Sequence, residues 1–577
     1  MPHATLPSPG FQAFILCGPG ASLDTFTSDP VEFPKAIVPI ANRPMVWYPL
    51  DWCYRMGISD IFIITPPESK PALEAALQQN PHLTSLPSPR PTILAPTELT
   101  NTSGTGDVFR QKEVKDAIKE DFIVLPCDLV SELDGTALLQ EWMVLQAGLG
   151  GATGGLDRDT NLPVPMECGG ESIARRGAMG MWYDTKGEAA LKGEETDFII
   201  TVPPTKPVVP LPNNSIRSKV SKLVSAMPKD SLNDVLEEKK LYAVRHSLLR
   251  EFGRINVRSS VRDSHVYLFP FWSLELMQDE RFESISEDVL GWWAKATWQP
   301  GLAEKLGFRD ILGFTDNQGS EKNSGSDEGS PGPSEEEDDL DVAEYSSTVS
   351  YSKVPNVSKT QKSLSIPPIM AYIHEALPSA PVIKRVDTKA SLLATSLRIA
   401  RLPATSTLEK GATPSPLAHP LKIAHPDSVP RITRVEADTC LLAENVTIGE
   451  KCGIKESVIG VGCTIGEGVR LTKCLIMDNA MIGDNVTLTN CVLGPRCKVE
   501  GGPRKGDEKS ELDDCEVQGG YIVPWGTEAK GEKFMLFEGL EEKGDENELE
   551  RVGSISPLPD DGLSHRRKES GSVLVYG

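Results

Sequence analysis

The chain has 577 residues, too many for a single hydrophobic core, and its formal charge of −23 argues against a primary grip on nucleic-acid phosphates. No run of ~18 apolar residues occurs, and the opening MPHATLPSPGFQAFILCGPG is broken by proline and glycine, so neither membrane insertion nor secretion is expected. Eleven cysteines form no CxxC pair, and seven fall between Cys440 and Cys515 in apolar-periodic sequence; this points to a reduced, cytosolic setting with thiols as small core residues.

After a disordered start over residues 1–10, short apolar runs alternate with helical patterns. Strands are expected at Phe11–Cys17, Asp60–Thr65, Pro91–Ala95 and Asp121–Pro126. Helices are expected at Met45–Met56, Ser69–Gln79, Asp107–Lys119 and Gly135–Ala147. This alternation predicts a doubly wound, Rossmann-like parallel sheet covered on both faces, with ligands at the carboxyl ends of its strands. Farther on, Ser218–Met227 and His265–Phe271 read as strands, and Leu236–Phe252 and Asp288–Thr297 as helices. The expected α/β domain spans 11–310.

From Asp316 to Glu344, 11 acids face the single Lys322, a net of −10 (1 − 11), in Ser/Gly/Pro-rich sequence. Residues 311–365 therefore read as a disordered linker, and its serines as a solubilising tract more than as phosphorylation sites. A connecting segment is expected over 366–430. Beyond it, aliphatic residues recur every 17 positions: Leu442, Ile459, Ile476, Leu493; Ile448, Ile465, Ile482, Val499; Ile454, Leu471, Leu488. Glycine follows several of them, at Gly449, Gly460, Gly466, Gly483 and Gly494. Such a period implies a three-sided parallel β-helix, placed at 431–525, followed by an acidic disordered tail, 526–577.

The chemistry-bearing stretch is FQAFILCGPGASLDTFTSDPVEFPKAIVPIANRPM, residues 11–45. A strand enters the loop Gly18-Pro19-Gly20, followed by Pro34-Lys35 and Arg43-Pro44-Met45. Loop amides of this kind cradle phosphates while a basic side chain offsets their charge. Here Pro19 removes one amide donor, and the flank Ala21-Ser22-Leu23-Asp24 offers no cation. Asp128 follows the strand Asp121–Pro126, where it would either hold a metal or cap the next turn. Asp263 is a weak candidate for the second carboxylate a metal would need. Gly104-Thr105-Gly106-Asp107 reads either as a base-contacting segment or as a helix cap. No histidine lies between Pro426 and Ser564, which leaves an acyltransferase without a base, and the Cys440, Cys474, Cys491 series reads as stacked coil positions before zinc ligands.

These motifs resemble the sugar-phosphate nucleotidyltransferases, whose signature runs Gly-Gly-x-Gly-Thr-Arg-Leu, then Pro-Lys, then Lys-Pro-Met. Gly18, Gly20, Pro34, Lys35, Pro44 and Met45 match, Pro19 and Ser22 depart from it at a glycine and the catalytic arginine, and Asp128 matches the family's Mg²⁺-holding aspartate. The β-helix period is similar to that of hexapeptide-repeat proteins, which implies the left-handed form. The stretches Met45–Leu50, Thr105–Arg110, Val124–Leu129 and Val261–Leu268 look like the nucleotidyltransferase-like subunits of translation initiation factor 2B, gamma-type more than epsilon-type, since only about 50 residues follow the β-helix. That resemblance implies a cytosolic, non-catalytic subunit of a guanine-nucleotide exchange factor acting on initiation factor 2. Its implied partners are an epsilon subunit, held through the nucleotidyltransferase-like domains, and the other subunits of the factor. On this reading Gly18, Gly20, Pro34, Lys35 and Asp128 are vestigial, and no metal or cofactor is expected. The alternative is an active sugar-phosphate nucleotidyltransferase, such as a mannose-1-phosphate guanylyltransferase.

Overall fold

The computed structural model describes residues 10–18, 23–100, 103–143, 176–187, 190–191, 193–204, 215–312, 366–377, 380–408, 413–503 and 510–536. The expected disordered N-terminus, the Pro19–Ser22 loop, the acidic stretch from 313 onward and the tail beyond 536 lie outside them.

Among the described residues, thirteen strands belong to the N-terminal part: β1 Phe11–Leu16, β2 Pro39–Ile40, β3 Arg43–Pro44, β4 Asp60–Ile64, β5 Thr92–Leu94, β6 Asp121–Pro126 and β7 Leu129–Ser131, then β8 Met179–Asp184, β9 Asp197–Val202, β10 Val220–Pro228, β11 Asn256–Phe269, β12 Ile369–His374 and β13 Ile383–Arg385. Nine of them form one sheet in the order β5-β4-β1-β6-β11-β8-β12-β10-β9. The half β5-β4-β1-β6 is parallel, as the alternation predicts. The other half is mixed, because β11 runs antiparallel to both β6 and β8. Strand order reverses at β1: the chain leaves β1 toward β4 and β5, then returns to β6 on the opposite side. A crevice opens at that switch, at the carboxyl ends of β1 and β6.

Two expected helices are each divided. The 107–119 pattern becomes Thr105–Arg110 and Lys112–Ala117, separated where Gln111 turns to extended backbone (φ −62°, ψ 132°). The 236–252 pattern becomes Lys229–Lys239 and His246–Phe252, because Lys240 adopts φ +58° and ends the first. The expected strand His265–Phe271 is the tail of the much longer β11.

The stretch 366–430, expected to connect two domains, instead supplies β12, which enters the large sheet between β8 and β10. It also supplies β13, which pairs with β7, and the helix Lys389–Arg401, started by the Thr388–Ser391 capping box. The reason is apolar content: Ile369, Met370, Ala371, Tyr372 and Ile373 are all buried, a run suited to a strand covered on both faces. Ile366 and Ile369 join the same hydrophobic cluster as Leu302, Leu306 and Phe308, so both ends of the acidic stretch enter one core.

Residues 434–534 wind into three stacked parallel sheets, consistent with a left-handed β-helix. The inward files pair as the 17-residue spacing demands: Ile459 with Ile476, Ile465 with Ile482, Leu471 with Leu488. After Val499 the step lengthens, Leu493 pairing with Val517 and Val499 with Val523, and the coils continue past 525 to Phe534. Gly449, Gly460, Gly466, Gly483 and Gly494 do not make the turns, since none has a positive φ, whereas Gly462 (φ +69°) and Gly468 (φ +68°) do. A Cβ on Gly483 would lie 2.1 Å from the backbone of Gly501 in the next coil, so this glycine permits close stacking. Other left-handed corners are taken by residues such as Asn479 (φ +58°) and Asn485 (φ +59°).

The β-helix is joined to the α/β part by core. Leu441, Val458, Leu475 and Val492 point outward from one face and share a hydrophobic cluster with Ile40, Met45, Leu393 and Leu397. Polar ties surround this seam: Asn42 Nδ2 donates to the Ile459 carbonyl at 2.9 Å, Thr25 to Glu516 at 2.7 Å, and Lys533 pairs with Asp24 at 2.9 Å.

Candidate functional site

The crevice between β1 and β6 holds a cavity of about 280 Å³. Its walls are largely apolar, with Leu16, Ile64, Leu99, Val108 and Ile285 among them, and hydroxyls of Thr100, Ser103, Thr105 and Ser286 on the polar side. Gly18, Lys35 and Asp128 all line it. The parallel ladder brings two of these together. Cys17 N–H donates to the Ile64 carbonyl at 2.8 Å and Cys127 N–H to the Leu16 carbonyl at 3.0 Å, which sets Gly18 and Asp128 on neighbouring strand ends.

Pro34 has extended backbone and precedes the short 3₁₀ turn Lys35–Ile37, placing Lys35 at the turn's first position. From there its Nζ reaches Asp128 Oδ2 at 2.7 Å, and both side chains are nearly closed to solvent. Asp128 has a second cation. Arg385 Nε lies 3.3 Å from Oδ1 and a terminal nitrogen 3.2 Å from Oδ2. Burial opposes ionisation of Asp128, yet Arg385 and Lys35 outweigh it and hold the carboxyl far below the usual carboxylate range. For the same pair, burial opposes the charge on Lys35, but Asp128 and Cys127 raise its pKa. Gly20 lies outside the described residues, and Gly18 has open space where a Cβ would stand.

Asp263 occupies different surroundings. Its carboxylate accepts from Tyr267 Oη at 2.5 Å and from the His265 N–H at 2.8 Å, while its own N–H donates to Asp197 at 2.6 Å. Burial, then the like charge of Asp197, pushes Asp263 up to about 7; burial pushes Asp197 up to about 6. A bulge in β11 between Asp263 and Val266 puts His265 at φ +54° and sends its ring to the cavity wall. Burial and then Arg385 depress the His265 pKa, so the ring is neutral.

The remaining candidates serve packing. Asp107 accepts from the Gly104 N–H at 2.8 Å and pairs with Arg110, the capping alternative, while Thr105 both lines the cavity and accepts from the Ile285 N–H at 3.0 Å. A Cβ on Gly106 would stand 2.0 Å from the Phe282 carbonyl, so this glycine is dictated by close approach of the 282–283 backbone. Arg43 donates to the Leu417 and Ala418 carbonyls, each at 2.9 Å, and stacks over Trp47; it anchors the 413–420 segment and does not line the cavity.

The divalent cation that the nucleotidyltransferase resemblance implies finds no fit here. Both oxygens of Asp128 are engaged by Arg385 and Lys35, and those of Asp263 by Tyr267 and the His265 amide. Among the described residues no three His, Cys, Asp or Glu side chains converge as metal ligands. The residue that sequence reasoning missed is Arg385, and only the pairing of β13 with β7 brings it to the crevice.

A family model described as nucleotidyl transferase matches residues 20–161, and one described as GMPPB C-terminal domain matches residues 437–509. The N-terminal part is thus a nucleotidyltransferase α/β domain. The chain is distantly similar to the translation initiation factor eIF2B subunit gamma of Schizosaccharomyces pombe, 26% identical over 292 residues, covering 50% of this chain and 52% of that protein. It is likewise similar to the subunit of the same name from Caenorhabditis elegans, 24% identical over 277 residues, 48% of this chain and 60% of that one. The chain therefore matches only about half of these relatives' length. No described helix is long and apolar enough to cross a membrane.

Proposed function

We propose that the chain is a non-catalytic, regulatory or structural subunit of a translation initiation factor 2B complex, working in the cytosol. The complex promotes exchange of GDP for GTP on initiation factor 2, and the partners are an epsilon-type subunit, held through the nucleotidyltransferase-like domains, and the remaining subunits. One observation carries this reading: Lys35 and Asp128, the charged groups that phosphoryl chemistry would need free at the crevice, are committed to each other, and Asp128 also to Arg385. The distant similarity to gamma subunits supports the choice of complex.

Affinity purification of the full chain, followed by a GDP-release assay on initiation factor 2, tests it. The expected outcome is recovery of a larger nucleotidyltransferase-like partner, with release accelerated by the complex and not by the chain alone. Equal acceleration by the isolated chain would defeat the proposal.

A second reading, an active sugar-phosphate nucleotidyltransferase such as a mannose-1-phosphate guanylyltransferase, draws on the GMPPB C-terminal match and on the intact cavity. Pyrophosphate release that disappears in Lys35→Ala and Asp128→Asn would establish it in place of the first.

A further inference from the structure

Asp128 carries one more cation than its own charge requires. Lys35 Nζ, at 2.7 Å, already completes a buried ion pair with Oδ2. Arg385 is nevertheless laid across both oxygens, and it is held there from behind. Its backbone pairs with Leu129 in the β13–β7 ladder, the adjacent Val386 N–H donates to the Asp128 carbonyl at 2.9 Å, and Asp387 lies 3.8 Å from the guanidinium. Asp387 in turn pairs with Arg262, and Arg262 with Glu194 at 3.6 Å. Burying a second cation beside one carboxylate costs desolvation, which Asp387 offsets in part.

The difference lies in shape. An ammonium is a point charge that leaves Oδ1 open, whereas a guanidinium is a planar fork that covers both oxygens and does not deprotonate. We propose that Arg385 is the resident cation of this crevice: it occupies the Asp128 oxygens that a divalent metal ion would need, so the cavity takes its ligand, a polar or anionic molecule with an apolar body, without metal. A divalent ion would have to approach a carboxylate oxygen to about 2.0–2.2 Å and displace the fork to do so. Asp263, whose carboxyl also feels Arg385, offers no substitute, because Tyr267 and the His265 amide hold its oxygens. The inference deepens the non-catalytic reading and is tested without turnover.

The measurement is Mn²⁺ titration of the full chain, without nucleotide, followed by electron paramagnetic resonance of the free ion. Wild type, Arg385→Gln, Arg385→Lys and the double variant Arg385→Gln/Asp128→Asn are compared, and the acidic stretch gives all four the same weak background. Arg385→Gln should gain one Mn²⁺ site at least about tenfold tighter than that background, and the double variant should lose it. Arg385→Lys, which keeps the charge but loses the fork, should gain a weaker site, about threefold above background. A wild-type Mn²⁺ site that the double variant removes would overturn the proposal. So would the absence of any gain in Arg385→Gln or, if that variant does not fold, in folded Arg385→Lys. Mn²⁺ bound at Asp128 in a protein without turnover sinks this inference alone; pyrophosphate release from a protein with no such Mn²⁺ site sinks the non-catalytic reading alone.

Discussion

The β-helix core and the charged cluster at the crevice both lie largely out of water and are held by opposite physics. In the β-helix, Ile459, Ile476 and Leu493 stack on aliphatic neighbours above and below, so each coil adds a similar increment of apolar burial. In the crevice, Lys35 and Arg385 share one carboxylate, and removing Asp128 leaves two buried cations facing each other. Stability is additive in the first region and collective in the second. The difference teaches where this protein tolerates change: in methyl groups along the coils, and hardly at all in charge at the strand ends.

The largest expected effect tests that contrast directly. Asp128→Asn leaves Lys35 and Arg385 facing each other and should cost about 3–5 kcal/mol, whereas Ile476→Val in the β-helix should cost about 0.5–1.5 kcal/mol. Denaturant unfolding of both variants gives the comparison, and equal costs would break it.

The next effect is a pH dependence on the crevice side. The Asp263 pKa is raised in the folded state, to about 7, so its contribution is fully present near pH 4 and is lost as pH rises toward 7. Asp128 has the opposite sign, its pKa being lowered on folding, and its contribution disappears only on acidification below the ordinary aspartate range. Stability should therefore fall from pH 5 to pH 8, and Asp263→Asn should reduce that fall by roughly 1–3 kcal/mol. An unchanged slope in the variant would remove Asp263 from the account.

The smallest effect sharpens the comparison from the surface. Arg496 and Glu32 meet at 2.6 Å across the seam between the two regions, but both are well exposed. Arg496→Ala should cost about 0–1 kcal/mol and lose even that at high salt. A cost comparable to Asp128→Asn would mean that the seam depends on charge more than on Leu441, Val458, Leu475 and Val492.

Legibility in the sequence follows the same division. The β-helix could be read because its constraint repeats, and the 17-residue spacing places Ile448 over Ile465 and Ile465 over Ile482. One readable signal was passed over: Leu441, Val458, Leu475 and Val492 immediately precede inward residues at the same spacing. Two adjacent aliphatics in four successive coils imply an outward face that must be covered. The parallel half of the sheet was legible from its apolar runs, as was the place of Gly18 and Asp128 at the ends of neighbouring strands. Arg385 was not, because its partner lies 257 residues earlier and only strand pairing connects them. His265 was equally hidden, since a bulge sets its direction and a bulge leaves no period.

The strand Ile369–His374 changes what a boundary means in this chain. With it threaded between β8 and β10, Leu312 and Ile366, on either side of the acidic stretch, belong to one domain and not to two. Spatial adjacency and chain order part company there. A cut in that stretch would not release a finished half; it would unlace a sheet, leaving an interior strand on one piece and both its hydrogen-bonding neighbours on the other.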